Sequence, residues 1–315
     1  MSENTMKAVR QSAFGGPEVL ELVDVPRPAP GVGEILVAVR AAGVNPTDWK
    51  HRAMAIFLGE PPYTLGWDVS GVVEAVGMGV SLFRPGDEVF GMLPYPHGAG
   101  SHAAYVTGPA RAFVPKPMGL SHIEAGALPL AALTAWQALV DTAGVEPGQR
   151  VLVHAAAGGV GHVAVQIAKA RGAHVVATAS AAKHELVRSL GADEVIDYRT
   201  ADFTRETGDL DVVLDPMGTE NCLRSLDVLR PGAILVSLLP DMSGEVALKA
   251  AKSGVRSTFM LVEHDQAGMA AVADLVASGR LRVHVSGTYP LAEATRAHAE
   301  GETGHVTGKL VLTMD

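Results

Sequence analysis

The residues best placed to do chemistry are the small ones of the run Val151-Leu-Val-His-Ala-Ala-Ala-Gly-Gly-Val-Gly161. Ala157, Gly158, Gly159, Val160 and Gly161 follow an apolar strand and open a helix, the context a dinucleotide fingerprint requires. Gly158 and Gly159 let backbone approach a pyrophosphate, and Gly161 lets the helix pack close to the sheet. The helix N-terminus adds N–H donors and the positive end of a dipole. The first glycine of G-x-G-x-x-G is replaced by Ala156, so the strict pattern is broken; alone, a Gly-Gly pair at such a corner is often only a tight turn.

The end of the following strand discriminates between nicotinamide cofactors. A carboxylate there, about 20 residues on, would hold the ribose 2′-hydroxyl of NADH. Here the chain reads Ala177-Thr-Ala-Ser180-Ala-Ala-Lys183, with no carboxylate before Glu185. A hydroxyl and an ammonium suit a 2′-phosphate, which a carboxylate would repel. NADPH is therefore the expected cofactor. The plainer alternative is that Ser180 caps a helix and Lys183 is a solvated lysine.

Elements that must position this loop can be read on both sides. Residues 7–10, 19–23, 34–41, 69–76 and 88–92 read as short strands bounded by Gly/Pro turns, the texture of a β-barrel or sandwich. Near Ser121, with Glu124 as capping-box partner, the texture changes. Residues 150–154, 174–178, 194–197, 211–215, 233–237 and 258–262 read as strands alternating with helices at 160–171, 182–190 and 219–229. That alternation predicts a doubly wound parallel α/β sheet. Residues 291–300 read as a helix and 309–313 as a final strand, a tail expected to return to the first domain. The expected division is 1–122, 123–265 and 266–315.

Composition narrows the function classes. The 315 residues include one cysteine, Cys222, which excludes an internal disulfide and a Cys-rich metal site. A net charge of −9 disfavours nucleic acid. The polar first ten residues hold no signal-peptide core, and apolar runs such as 126–135 fall short of the roughly 20 residues of a membrane span. A reducing cytoplasm is the expected compartment.

Further segments carry a resemblance: Ala41-Ala-Gly-Val-Asn-Pro-Thr-Asp48, Gly66-Trp-Asp-Val-Ser-Gly71, Pro85-Gly-Asp-Glu-Val-Phe90, Leu133-Thr-Ala-Trp-Gln-Ala-Leu139, Leu190-Gly-Ala-Asp193 and Gly304-His-Val-Thr-Gly-Lys309. With the glycine loop, they make the chain similar to zinc-independent members of the medium-chain dehydrogenase/reductase superfamily, in the zeta-crystallin-like quinone oxidoreductase and enone reductase branch. The resemblance implies a GroES-like β-barrel catalytic domain built from both chain ends, with a Rossmann domain between them. It also implies a homodimer joined through the Rossmann edge strand.

Zinc-dependent relatives carry Cys where this chain has Asn45 and a His-Glu pair where it has Trp67-Asp68. No metal is therefore expected; scattered histidines such as His51, His97 and His102 are more often solvated or supporting residues than a site. Without a Lewis acid a simple ketone is hard to polarise, whereas a quinone or enone delocalises the charge that hydride brings. The expected substrate is a small apolar conjugated carbonyl or quinone. The resemblance further places Thr134, Tyr198, Ser237, Leu238, Phe259, Met260 and Leu261 beside the cofactor, with Lys309 reaching it or lying on the surface. Asn45 is the candidate donor to the substrate oxygen, and Tyr63 or solvent the proton source. Rival readings are an enoyl reductase of polyketide or fatty-acyl metabolism, a non-catalytic NADPH-binding protein and a zinc alcohol dehydrogenase.

Overall fold

The computed structural model describes residues 5–314; residues 1–4 and 315, including the first of the polar N-terminal stretch, lie outside the described residues. The chain divides into two compact units, 1–133 with 263–315, and 134–262.

Unit 1 begins with β1 (Thr5–Gln11), β2 (Leu20–Pro26) and β3 (Glu34–Val44), then α1 (Pro46–Ala53), β4 (Tyr63–Thr64), β5 (Asp68–Val76), β6 (Glu88–Met92), β7 (Tyr105–Pro109), β8 (Phe113–Pro115) and α2 (His122–Ala127). β3 and β5 are central because their apolar residues are buried almost completely, Ile35, Val37, Val39, Val69 and Val73 among them. They pack so closely that a Cβ on Gly71 would lie 2.2 Å from Ala38 O. Ser121 caps α2 as its sequence predicts: its Oγ accepts from Glu124 N at 3.2 Å, and Glu124 Oε2 accepts from Ser121 N at 3.0 Å. α2 packs on β3 and β5, so the change of texture near Ser121 precedes the division between the units.

α3 (Pro129–Trp136) continues as π-helical turns over Gln137–Thr142. Unit 2 then alternates β9 (Arg150–Val153), α4 (Gly161–Ala170), β10 (His174–Ala179), α5 (His184–Ser189), β11 (Glu194–Asp197), α6 (Phe203–Glu206), β12 (Leu210–Asp215), α7 (Thr219–Ser225), β13 (Leu229–Ser237), α8 (Glu245–Lys252) and β14 (Arg256–Phe259). All strand pairs are parallel, in the order β11-β10-β9-β12-β13-β14. Val151–Val153, Val175–Ala177 and Val212–Leu214 are buried continuously rather than alternately, as a sheet covered on both faces requires. The order reverses between β9 and β12, the crevice where ligands of open α/β sheets bind.

The chain returns through α9 (Gln266–Ala277), β15 (Val285–Pro290), α10 (Ala294–Glu302) and β16 (Lys309–Thr313). β16 pairs antiparallel with β3, setting Leu310 opposite Val44, and the larger sheet of unit 1 runs β15-β16-β3-β5-β6-β8 with β7 also on β3. The strand expected over 258–262 ends at Phe259. Met260 N makes one last bond to Ser237 O at 3.0 Å and the chain leaves the sheet, so Met260 and Leu261 lie beyond the strand.

Candidate functional site

Two clusters of candidate functional side chains emerge, one in each unit. In unit 2, β9 ends and the chain turns through His154 and Ala155, whose φ of 49° is left-handed. Thr178 holds that turn: its backbone oxygen accepts from Ala156 N at 3.0 Å and its hydroxyl from Ala155 N at 3.2 Å. Gly158 N closes the loop by donating to Ala155 O at 2.8 Å. A Cβ on Gly161 would sit 2.3 Å from that same oxygen and 2.7 Å from Ala156 Cα, so only glycine lets α4 start here. Ala157 is buried, while Gly158, Gly159 and Val160 are half-buried at the mouth of the loop. The residues fit a dinucleotide: a glycine cradle that a side chain would fill, at the N-terminus of a ten-residue helix.

Ser180 follows the last residue of β10 and is buried; it stands at a helix N-cap, yet its side chain makes no capping bond. Lys183 closes the short turn Ala181–Lys183. Tyr198, just past β11, is 57% exposed with the Arg199 guanidinium 5.9 Å from its ring centre. Ser237 and Phe259, the last residues of β13 and β14, line one cavity of about 160 Å3 together with Thr219, Cys222 and Asp241. Ser237 Oγ donates to Leu239 O at 2.7 Å, and Leu238 N to Asp215 O at 2.8 Å. Burial, with Asp215 adding, pushes the Cys222 thiol up to about 12, so it stays protonated and is no nucleophile. Thr134 is buried in α3.

In unit 1 the polar cluster gathers at the N-terminus of α1. Asn45 stands at the N-cap, and Asp48 reaches back so that Oδ2 accepts from Asn45 N at 2.6 Å. Asp68, at the start of β5, accepts from Leu130 N at 2.6 Å and from Asn45 Nδ2 at 2.8 Å. Lys309, opening β16, donates to Asn45 Oδ1 and to Val44 O at 3.2 Å, with Asp68 Oδ2 at 3.5 Å. It is 3% exposed. The reading of Lys309 as a surface residue does not hold: it is buried, with its donors facing Asn45, Val44 and Asp68. Burial pushes the Asp68 carboxyl up and the Lys309 ammonium down, while their mutual attraction opposes both shifts.

The two candidate catalytic residues are both engaged. Asn45 is 1% exposed with each end of its carboxamide bonded, leaving one Nδ2 hydrogen for any further acceptor. Tyr63 donates its hydroxyl to His51 O at 2.8 Å, and burial raises its pKa, which weakens it as an acid. Sequence reasoning named His51 only among scattered histidines and missed the group it forms with Thr47 and Tyr95. Tyr95 OH and His51 Nδ1 each lie 3.1 Å from Thr47 Oγ1, and the His51, Trp67 and Tyr95 rings pack together. The i, i+4 spacing of Thr47 and His51 was the available signal; Tyr95 carried none.

The zinc question meets a donor set of the wrong kind. Asn45 and Asp68 are bridged by an ammonium, which would repel a metal cation, and among the described residues no group of three or more His, Cys, Asp or Glu is arranged to hold one.

Residues 31–118 match the alcohol dehydrogenase GroES-like domain, and residues 190–312 match the family described as zinc-binding dehydrogenase. The chloroplastic quinone-oxidoreductase QR1 of Triphysaria versicolor is 33% identical, over 99% of each chain. The quinone oxidoreductase of Coxiella burnetii superposes with a TM-score of 0.93 at 36% identity, covering 99% of this chain and 100% of that one. The Escherichia coli quinone oxidoreductase, solved with NADPH, superposes with a TM-score of 0.86 at 28% identity, covering 98% and 99%. A GroES-like domain, a Rossmann domain and full-length relatives together place this chain in the medium-chain dehydrogenase/reductase superfamily, in its quinone oxidoreductase branch, as an NAD(P)H oxidoreductase.

Proposed function

We propose that the chain is an NADPH-dependent reductase that delivers hydride to a quinone or an α,β-unsaturated carbonyl without zinc. The end of β10 carries this reading: Ser180, with a hydroxyl not spent on capping, is followed by Lys183, and no carboxylate stands where NADH would need one. The neighbouring structure with NADPH supports it.

When bound, the dihydronicotinamide supplies hydride. The protein's part is to hold and orient. The glycine loop and the α4 N-terminus would hold the pyrophosphate, Ser180, Lys183 and Tyr198 would hold the 2′-phosphate, and Thr134, Ser237, Leu238, Phe259, Met260 and Leu261 would hold the nicotinamide end. Hydride added to a conjugated acceptor would leave negative charge on its oxygen, for which the remaining Nδ2 hydrogen of Asn45 is the candidate donor; water is the favoured proton source, since the Tyr63 hydroxyl is held by His51 O and is a weakened acid. β14 is the last strand of its sheet, with Phe259 and Leu261 44% and 40% exposed; an open edge with apolar side chains suits pairing with a second copy in a homodimer.

The test is NADPH oxidation by chelator-dialysed protein across a panel of quinones and enones. Turnover without added metal supports the proposal. Turnover lost on chelation and restored by zinc, or NADPH binding with no acceptor reduced, overturns it.

A further inference from the structure

His154 is the residue at which the glycine loop leaves β9, and the cofactor contacts above do not use it. Its ring is 2% exposed and lies edge-on to Phe203, 4.7 Å between ring centres. Both nitrogens are engaged: Nδ1 lies 3.1 Å from Thr178 Oγ1 and Nε2 3.0 Å from Ser225 Oγ.

The ends of this chain fix its protons. Ser225 donates its hydroxyl to Asn221 O at 2.8 Å, so toward the ring it can only accept, and Nε2 carries the hydrogen. Nδ1 is then an acceptor and Thr178 its donor. Thr178 Oγ1 is left to accept the Ala155 N–H. On the far side Asn221 Nδ2 donates to Asp215 Oδ2 at 2.7 Å, and Asp215 Oδ1 accepts from Met217 N at 2.6 Å and Gly218 N at 3.1 Å. With the backbone of Asn221 and Ser225 as its link, the network joins the loop after β9 to the loop after β12, across the point where the strand order reverses. Burial holds the imidazole neutral, pushed down to about 4, with Asp215 opposing and Arg224 assisting that shift.

What the network holds is the one conformation on which the loop depends. Ala155 is left-handed, a region side-chain-bearing residues rarely adopt. Its carbonyl receives Gly158 N and sits where any side chain on residue 161 would fall.

We infer that His154 is a positioning residue for the phosphate-binding loop: the Nε2-protonated ring fixes the Thr178 hydroxyl as acceptor of the Ala155 N–H and so shapes the loop before a dinucleotide arrives. The inference rests on the dinucleotide reading of that loop.

The experiment compares full-length His154→Phe, Thr178→Val, Thr178→Ser and the double variant His154→Phe/Thr178→Val. NADPH affinity is read by fluorescence titration, and amide hydrogen exchange across 155–159 is read without cofactor. His154→Phe and Thr178→Val should each raise the Kd for NADPH about tenfold and speed loop exchange. Thr178→Ser should stay near wild type, and the double variant should be no worse than the worse single one. Should His154→Phe fail to fold, Thr178→Val against Thr178→Ser carries the same comparison. Folded variants that bind NADPH as wild type does, with unchanged loop exchange, overturn the inference. A wild-type chain that fails to bind NADPH, while loop exchange still responds to His154→Phe, overturns the dinucleotide reading and leaves the positioning role supported.

Discussion

Asn45 and Lys309 are joined side chain to side chain across 264 residues of sequence, the lysine ammonium donating to the carboxamide oxygen. The other end of the carboxamide donates to Asp68. A lysine only donates and an ionised carboxylate only accepts, so the orientation of Asn45 is set by its two neighbours. The residue opening the last strand thus fixes the residue capping α1.

Removing the cation tests this arrangement. Lys309→Met leaves Asp68 buried without its partner and should cost about 3–5 kcal/mol of stability by urea unfolding. Lys309→Met combined with Asp68→Asn should cost markedly less, because no uncompensated charge remains. A single-variant loss under about 1 kcal/mol, the range of exposed pairs, would contradict a buried pair.

Stability should fall on both sides of a middle pH. Asp48 is pushed up from 3.8 to about 8, chiefly by burial, with the Asn45 N–H opposing. Between those values the folded chain keeps a proton that the unfolded chain has released, so its contribution to stability falls as pH rises, by at most about 1.4 kcal/mol per unit. His102 and His154 have the opposite sign. Burial pushes both from 6.5 down to about 4, so the unfolded chain binds protons that the folded one refuses, and stability is lost as pH falls through that window. Asp48→Asn should flatten the decline between neutrality and pH 8 in denaturation curves; curves parallel to wild type would refute the assignment.

The glycine cradle makes a steric prediction. A methyl group at residue 161 meets backbone atoms of Ala155 and Ala156, which cannot swing aside as a flexible side chain would. Gly161→Ala should cost about 1–3 kcal/mol and weaken cofactor binding more than the neighbouring surface change Lys169→Ala, as calorimetry with NADPH would show.

Cofactor choice should follow the end of β10. Ser180→Asp places a carboxylate where the 2′-phosphate is proposed to sit, and should lower kcat/KM for NADPH by roughly 10–100-fold, the loss of one charge-assisted contact, while NADH is affected far less. Equal effects on both cofactors would remove the 2′-phosphate from this position.

The parallel sheet was legible because its strands are apolar runs bounded by turns; Glu194–Asp197 and, in unit 1, Glu88–Met92 fall where the pattern puts them. α1 was not legible. Pro46–Ala53 has no apolar stripe, and its buried residues are Asp48, His51 and Arg52; the burial of Arg52 makes sense only beside its partners Gly15, Glu302 and His298. α9 carries only a faint signal, Met269, Val272 and Leu275 at spacings of three among small residues. The burial of Lys309 was not legible for a related reason: nothing local marks a lysine as buried when the groups that hold it, Asn45 and Asp68, lie in another part of the sequence. His154 looked like the last residue of a strand, and its hydrogen bonds become visible only once β10 and α7 flank it.

The most direct test of the central claim is steady-state reduction of a para-quinone and a cyclic enone, with NADPH and NADH compared on the same metal-free protein. The account predicts turnover with a conjugated acceptor and kcat/KM at least about tenfold higher for NADPH. Equal or better use of NADH, or turnover confined to simple ketones and alcohols, would contradict it.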